Sequence, residues 1–382
     1  MVLKRRAGRD QLPAGAIEVP QASSGAHRTP LIAGGWALGP QGPLTDAIVL
    51  VDGRWATGAK LDFPREDIAA RYPDVPDAER AGWSAMIDVR GVVGTTAELR
   101  LLGHTSAGEW AELDRSEVRV DEPGALSERR GAVFTIAQNE IRFLPLWLGH
   151  YRRDFDAADI YVLDHGSTDG STEGLDQHCN VVAVHREKSF DHMWLKGTVE
   201  DFQAFLLRSY ETVLFAEVDE FVVADPDHYA GLGAYIEGLR EPAACCTGYS
   251  VVQHPEEPPL RFDAPVLAQR RYWHRSPKYS KRLIGKIPLA WNIGFHTEFN
   301  APGIQPDPHL YLIHLHRVDY EYCLERHRSS ASRPWPEEDL QWNLGWHQRV
   351  VEPDEFRDWF FHGDDLGDAK GERIPDRVRE VL

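Results

Sequence analysis

Nine residues constrain this chain more than any others: Phe215 to Val223, FAEVDEFVV. Both ends are apolar and rich in Phe and Val, the composition of a short buried strand. Between them stand Glu217, Asp219 and Glu220. A carboxylate buried alone loses several kcal/mol of hydration, so a fold that accepts this segment must supply partners for it. Read as one strand, the segment puts Glu217 and Asp219 on a shared face. Two hard oxygen ligands at a strand end suit Mg²⁺ or Mn²⁺ holding a diphosphate. The competing reading is an acidic turn after an edge strand.

Charge narrows the partners. The net charge of -18 comes from 60 acids against 42 bases. It argues against a general binder of nucleic acid or anionic membrane, which needs a basic face. A phosphate-bearing small molecule remains compatible, since a metal supplies positive charge locally. Cys179, Cys245, Cys246 and Cys323 form no C-x-x-C pair, which predicts buried thiols in a reducing compartment. No run approaches the ~20 apolar residues of a membrane span, and no apolar signal core follows the basic start MVLKRRAGRD. The expectation is a cytoplasmic protein without membrane insertion.

The 382 residues suit two or three domains. Residues 1–25 mix Gly, Ala, Pro and charge without periodicity and read as a mobile tail. Residues 26–125 read as an all-β sandwich: Ile48 to Val51, the turn Asp52-Gly53 and Arg54 to Ala56 form a hairpin signal. Further strands are expected at Ser84 to Val89, Glu98 to Leu102 and Val118 to Val120, with a short helical or irregular interruption at Asp67 to Tyr72. Trp36, Trp55, Trp83 and Trp110 read as core or interdomain residues in preference to sugar-stacking platforms. Asp121 to Arg130 is a polar linker.

From residue 126 to 330 the pattern changes. Strands at Gly131 to Ala137, Ile160 to Leu163, residues 181–184 and Val213 to Ala216 alternate with helices in IRFLPLWLGHYRR and at residues 194–210. Such alternation predicts an α/β domain with a mostly parallel sheet and helices on both faces. Ligands of such sheets sit beyond the carboxyl ends of the strands. There the sequence places Gln138-Asn139-Glu140, Asp164-His165-Gly166-Ser167-Thr168-Asp169-Gly170-Ser171 and the acids of FAEVDEFVV. Asp164 suits a uracil N3–H or a ribose hydroxyl. A strand at Cys246 to Gln253 leads into the loop His254 to Pro259. KYSKRLIGK is a basic patch in an acidic chain, with Lys281 and then Arg282 as candidates for phosphate oxygens. YLIHLHR reads as a strand carrying His314 and His316 on one face, followed by a helix over Tyr320 to Ser329. Residues 331–382 are an aromatic-rich helical extension, read chiefly as packing.

TIAQNEIRFLPLWLGHYRR, IYVLDHGSTDGST and FAEVDEFVV, in this order, resemble glycosyltransferases of the GT-A fold, family 2 type, in the bacterial subgroup whose metal motif reads D-x-D-E-F. The run from Gly35 to Trp83 resembles the accessory β-sandwich beside some bacterial sugar transferases. The resemblance departs from the family at Glu217, where Asp is usual, and at Gln138. It implies a Rossmann-like GT-A domain, a nucleotide-diphosphate sugar donor (a UDP-sugar first), Mn²⁺ or Mg²⁺, and inverting transfer to a sugar, natural-product or peptide acceptor. It implies Glu217, Asp219 and His314 as metal ligands. It places Ala137, Asn139, Glu140, Asp164, Gly166, Ser167, Lys281 and Arg282 around the donor. Asp219, Glu220, Glu257 and Glu298 are then the catalytic carboxylates. Two other functions compete: a catalytically inactive sugar-binding or scaffold protein, and a nucleotidylyltransferase. The latter expects a Gly-rich first loop where this chain has Ala-Gln-Asn-Glu. The sandwich is also a candidate homodimer contact.

Overall fold

The computed structural model describes residues 12–19, 31–89, 92–105, 108, 110–120, 131–175, 178–184, 191–301, 303–363 and 371–382. The linker expected at 121–130 lies outside them. The chain divides into two compact units: Met1–Glu128 with Leu163–Gly166 and Asn180–Lys188, and Arg129–Val162 with Ser167–Cys179 and Ser189–Leu382.

Among the described residues, nine strands open the first unit: β1 (Ala14–Val19), β2 (Leu31–Gly39), β3 (Gly42–Pro43), β4 (Asp46–Val51), β5 (Arg54–Gly58), β6 (Lys60–Phe63), β7 (Gly82–Ile87), β8 (Thr96–His104) and β9 (Trp110–Arg119). They form two sheets, ordered β1-β2-β7-β6 with β3 on β2, and β5-β4-β8-β9. Ala33 and Trp83 from one sheet meet Val49, Leu99 and Leu101 from the other in a single apolar core, the packing of a β-sandwich. The turn dipeptide works as its chemistry demands: Asp52 and Gly53 take φ 48° and 73°, the left-handed pair of a two-residue hairpin. β2 is buried along its whole length. Its second face, with Trp36 and Leu38, packs on Ile68 of helix α1 (Glu66–Arg71) and on Ala78 and Ala81. The expected mobile tail is corrected at Ala14–Val19, which pairs antiparallel with β2.

The larger sheet uses β10 (Gly131–Ala137), β11 (Ile160–Asp164), β12 (Asn180–Ala183), β13 (Thr212–Phe215), β14 (Glu220–Ala224), β15 (Ala243–Val251), β16 (Tyr272–Arg275), β17 (Arg282–Gly285), β18 (Pro306–His314) and β19 (Glu372–Arg373). Its order is β12-β11-β10-β13-β17-β15-β16-β19, with β18 joining β14 to β15. The helices are α2 (Phe143–Tyr151), α3 (His192–Leu206), α4 (Leu232–Gly238), α5 (Tyr320–Ala331), α6 (Glu337–Gln341), α7 (Pro353–His362) and α8 (Asp376–Arg379). The expectation of a mostly parallel sheet is corrected. β10 runs parallel to β13, and β15 to β18, whereas β13–β17, β15–β17, β15–β16 and β14–β18 are antiparallel. β13 is followed by β14, which pairs not with it but with β18, and the places beside β13 and β15 go to β17 and β16, which run back against them.

The aromatic extension packs, as expected: Phe356 and Phe360 join Cys323, Leu324, Val252 and Val350 in one cluster. All four cysteines are free and buried. Among the described residues no helix is long and apolar enough to cross a membrane.

Candidate functional site

β10 and β13 point their carboxyl ends the same way, because Gly131 to Phe134 pair in parallel with Thr212 to Phe215, and β10 runs on to Ala137. The acids follow β13, but not on a strand. Ala216 to Asp219 form the connection between β13 and β14, and Glu220 N–H donates to Glu217 O at 2.9 Å to close it. Glu217 and Asp219 therefore part company, and their expected shared strand face is corrected to a turn.

Lys281 holds one side of this turn. Its ammonium donates to Glu217 Oε2 at 2.8 Å and lies 2.6 Å from Glu220 Oε1. Lys281 and Glu220 are out of solvent, while the Glu217 side chain keeps 37% of its exposure. Burial pushes the Glu220 carboxyl up to about 7 against the pull of Lys281. Burial alone depresses a lysine, but Glu217 and Glu220 outweigh it and hold Lys281 charged. The expectation that Lys281 meets phosphate is corrected accordingly: its Nζ is buried and committed to two carboxylates.

Arg326 holds the other side. One guanidinium nitrogen donates to Asp219 Oδ2 at 2.8 Å, and the other to Glu140 Oε1 at 2.9 Å. Burial raises Glu140, with Arg326 opposing, and leaves its Oε2 buried without a partner. Asp219 faces the same burial, but the Arg326 guanidinium overcomes it and holds its carboxyl well below the usual range. Asp219 is thus a fixed anion at the floor of the turn.

Two histidines converge on it from β18. The antiparallel register sets Glu220 opposite His314, and Leu315 N–H donates to Asp219 O at 2.9 Å. His314 Nε2 lies 3.9 Å from Asp219 Oδ1, and its ring stacks on Tyr279 at 4.0 Å. His316 sits two residues past the strand end, with Nδ1 3.5 Å from Asp219 Oδ2. Burial keeps both imidazoles neutral, drawing His314 well below its ordinary value and His316 below its own.

The protons around His316 are constrained. His327 Nδ1 lies 3.0 Å from the Val350 carbonyl, which only accepts, so that nitrogen carries the proton and His327 Nε2 bears a lone pair. His316 Nε2 sits 3.0 Å from that lone pair and must donate to it. A neutral His316 then turns an unprotonated Nδ1 toward Asp219. Asp219, His314 and His316 thus bring ligand atoms within 4.8 Å of one another. A carboxylate and two imidazoles facing one point suit a divalent cation. Glu217 stands apart from this group, on Lys281.

The first two polar stretches are knitted together. Asn139 adopts φ 58°; its Oδ1 accepts from Thr168 N at 2.7 Å, and Ser167 Oγ accepts from Asn139 N at 3.1 Å. Asp169 Oδ2 accepts from Ile141 N at 3.2 Å. Ala137 is the buried last residue of β10. Asp164 ends β11, and Gly166 follows with φ 72°; both belong to the first unit.

Three candidates lie outside the acidic turn's network. Glu298 accepts from the amides of Asn300 and Ala301 and faces Arg282, whose Nε is 3.8 Å away. Glu257 accepts from the amides of His254 and Arg271 at 2.9 Å each. These carboxylates fold loops. Sequence reasoning missed Arg326 and His327. Both lie on α5, whose charged sequence looks like a solvated face; the late-histidine strand was the one signal that pointed toward them.

No protein-family profile and no curated protein matches the chain. Among solved structures it shows slight likeness to CopC from Methylosinus trichosporium OB3b, with 15% identity, TM-score 0.20, 30% of this chain and 98% of that one. The fibronectin(III)-like modules of Clostridium thermocellum CbhA give 11% identity and TM-score 0.17, with 28% and 94% covered. A Vibrionaceae Photobacterium sp. JT-ISH-224 2,6-sialyltransferase gives 9% identity and TM-score 0.16; 46% of this chain matches 30% of that one. Likenesses at these scores carry no argument about activity.

Proposed function

We propose that the second unit is a GT-A-type glycosyltransferase that moves a sugar from a nucleotide-diphosphate donor, a UDP-sugar first, to an acceptor with inversion. The observation that carries this reading is the convergence of the Asp219 carboxylate with His314 Nε2 and the unprotonated His316 Nδ1 beyond the carboxyl ends of β10 and β13. Asp219, His314 and His316 would hold Mn²⁺ or Mg²⁺. Such an ion supplies positive charge against a diphosphate leaving group. The chain's own residues do the rest. Arg326 keeps Asp219 ionised, and Lys281 offsets Glu217 and Glu220. The Asn139–Ser167–Thr168 ties fix two strand-end loops against each other, as a donor site requires. Glu217, with 37% exposure against 8% for Asp219, is the turn carboxylate an acceptor proton can reach.

Arg326 on Asp219 favours one alternative, a non-catalytic sugar-binding unit in which the guanidinium already does the work of a cation. Incubation with UDP-glucose, UDP-N-acetylglucosamine, GDP-mannose and dTDP-sugars decides between them. Nucleoside diphosphate release that requires Mn²⁺ and disappears in Asp219→Asn supports the transferase. Sugar binding without release from any donor supports the alternative.

A further inference from the structure

The nitrogen of His316 that faces away from Asp219 belongs to a second group of metal donors. His316, His327 and Cys323 bring one ligand atom each within 4.8 Å of one another, and the two Nε2 atoms are 3.0 Å apart. Cys323 and His327 are four apart on α5, so they project from one helix face, and His316 approaches from the end of β18. None of the three is exposed. This is a different chemistry from the acidic turn: one sulfur and two imidazoles, with no carboxylate among them.

We propose that His316, Cys323 and His327 bind a borderline-soft divalent cation, Zn²⁺ above all. Two nitrogens that are each about 2.0–2.1 Å from one zinc, and 3.0 Å from each other, subtend about 94° at the metal. Opening that separation by about 0.3 Å reaches the tetrahedral angle. The outer partners are already in place. Val350 O accepts from His327 Nδ1 at 3.0 Å, which turns the Nε2 lone pair inward. Asp219 Oδ2 stands 3.5 Å from His316 Nδ1, the carboxylate that steers a zinc-bound histidine in the same way. Structural zinc sites almost always use four protein ligands; three protein donors make this an exchangeable site.

The proton on His316 ties the two sites together. With zinc on Nε2, a neutral His316 carries its proton on Nδ1 and donates to Asp219. It then has no lone pair for an ion in the acidic turn. With an ion on Nδ1, the proton sits on Nε2 and points at His327, where zinc would bind. As a neutral ring His316 serves one site at a time, so Zn²⁺ antagonises the hard cation. This antagonism, unlike the zinc site itself, rests on the reading of Asp219, His314 and His316 as a cation site.

Co²⁺ serves as the spectroscopic probe on the full chain after chelator treatment. One Co²⁺ per chain with a thiolate-to-cobalt charge-transfer band is expected, and Zn²⁺ should abolish the band by displacement. Cys323→Ser should lose it, while Mn²⁺ binding, read by electron paramagnetic resonance, stays within twofold. Absence of the band in the wild-type chain, or its survival in Cys323→Ser, overturns the zinc site whatever the variant's stability. In the wild-type chain, one equivalent of Zn²⁺ should weaken Mn²⁺ binding at least tenfold. A normal cobalt band with Mn²⁺ binding indifferent to Zn²⁺ overturns the antagonism alone. A normal band with no Mn²⁺ binding overturns the acidic-turn reading and leaves the zinc site standing.

Discussion

Lys281 places its ammonium 2.6 Å from Glu220 Oε1, with both side chains shut away from solvent. Removing one partner of a buried pair leaves an uncompensated charge and costs about 3–5 kcal/mol. Lys281→Met should lose stability of that order in urea denaturation. Lys281→Met combined with Glu220→Gln should recover part of it, since no charge is then stranded between the two positions. A single-variant loss below about 1 kcal/mol would contradict the pairing.

Much of this site could be read from the chain, for a local reason. Each polar stretch interrupts an apolar run, and β10, β11 and β13 appear where those runs predict them. The partners could not be read that way. Asp219 meets His314 because β14 and β18 pair in a register that brings together residues almost a hundred positions apart, and no periodicity carries that information. Lys281 looked like a surface cation because three other bases surround it in KYSKRLIGK. Its burial follows from β17 packing beside β13, a tertiary choice. The mixed sheet was hidden similarly, since strands buried on both faces, such as β13, β14 and β15, read as continuous apolar runs whichever way their neighbours point.

Asn139 offers a test of the loop ties. Its φ of 58° suits Gly and Asn, and its side chain accepts from Thr168 N at 2.7 Å. Asn139→Gly keeps the backbone and loses the bond, at about 1 kcal/mol. Asn139→Ala loses the bond and adds left-handed strain of about 1–2 kcal/mol. Thermal denaturation should therefore rank wild type above Gly and Gly above Ala. Equal melting of the two variants would show that the backbone at 139 relaxes.

His150 predicts acid sensitivity away from the acidic turn. Its Nε2 donates to Val222 O at 2.9 Å, and its Nδ1 is buried without a partner. Burial draws its pKa from 6.5 down to about 4. The unfolded chain therefore binds a proton more readily than the folded one. The stability this group contributes is whole above pH 6.5 and is lost as pH falls through about 4. At about 1.4 kcal/mol per pH unit the loss approaches about 3 kcal/mol. His150→Gln keeps a donor for Val222 and should flatten the fall between pH 6.5 and 4 in urea titrations. An unchanged slope would assign acid sensitivity to other groups.

Gly248 connects packing to the site without touching a ligand. A Cβ there would lie 2.2 Å from the Tyr279 carbonyl carbon and 2.4 Å from its oxygen, so the backbone at 279 would have to move. That backbone is pinned, because Ser276 N donates to Gly248 O at 2.9 Å and Gly248 N to Ser280 Oγ at 3.1 Å. The Tyr279 ring is the surface on which His314 stacks. Gly248→Ala should cost about 1–3 kcal/mol through overpacking. It should also weaken Mn²⁺ binding severalfold, by letting His314 drift from Asp219. Gly197, inside α3 with nothing within 4 Å of its Cβ position, is the control. Gly197→Ala should stabilise the chain by about 0.5–1 kcal/mol and leave Mn²⁺ binding alone. If Gly248→Ala destabilises as expected but binds Mn²⁺ like the wild type, the Tyr279 stack does not hold His314 in place. If both properties match the wild type, the close approach of β15 to residue 279 is itself wrong.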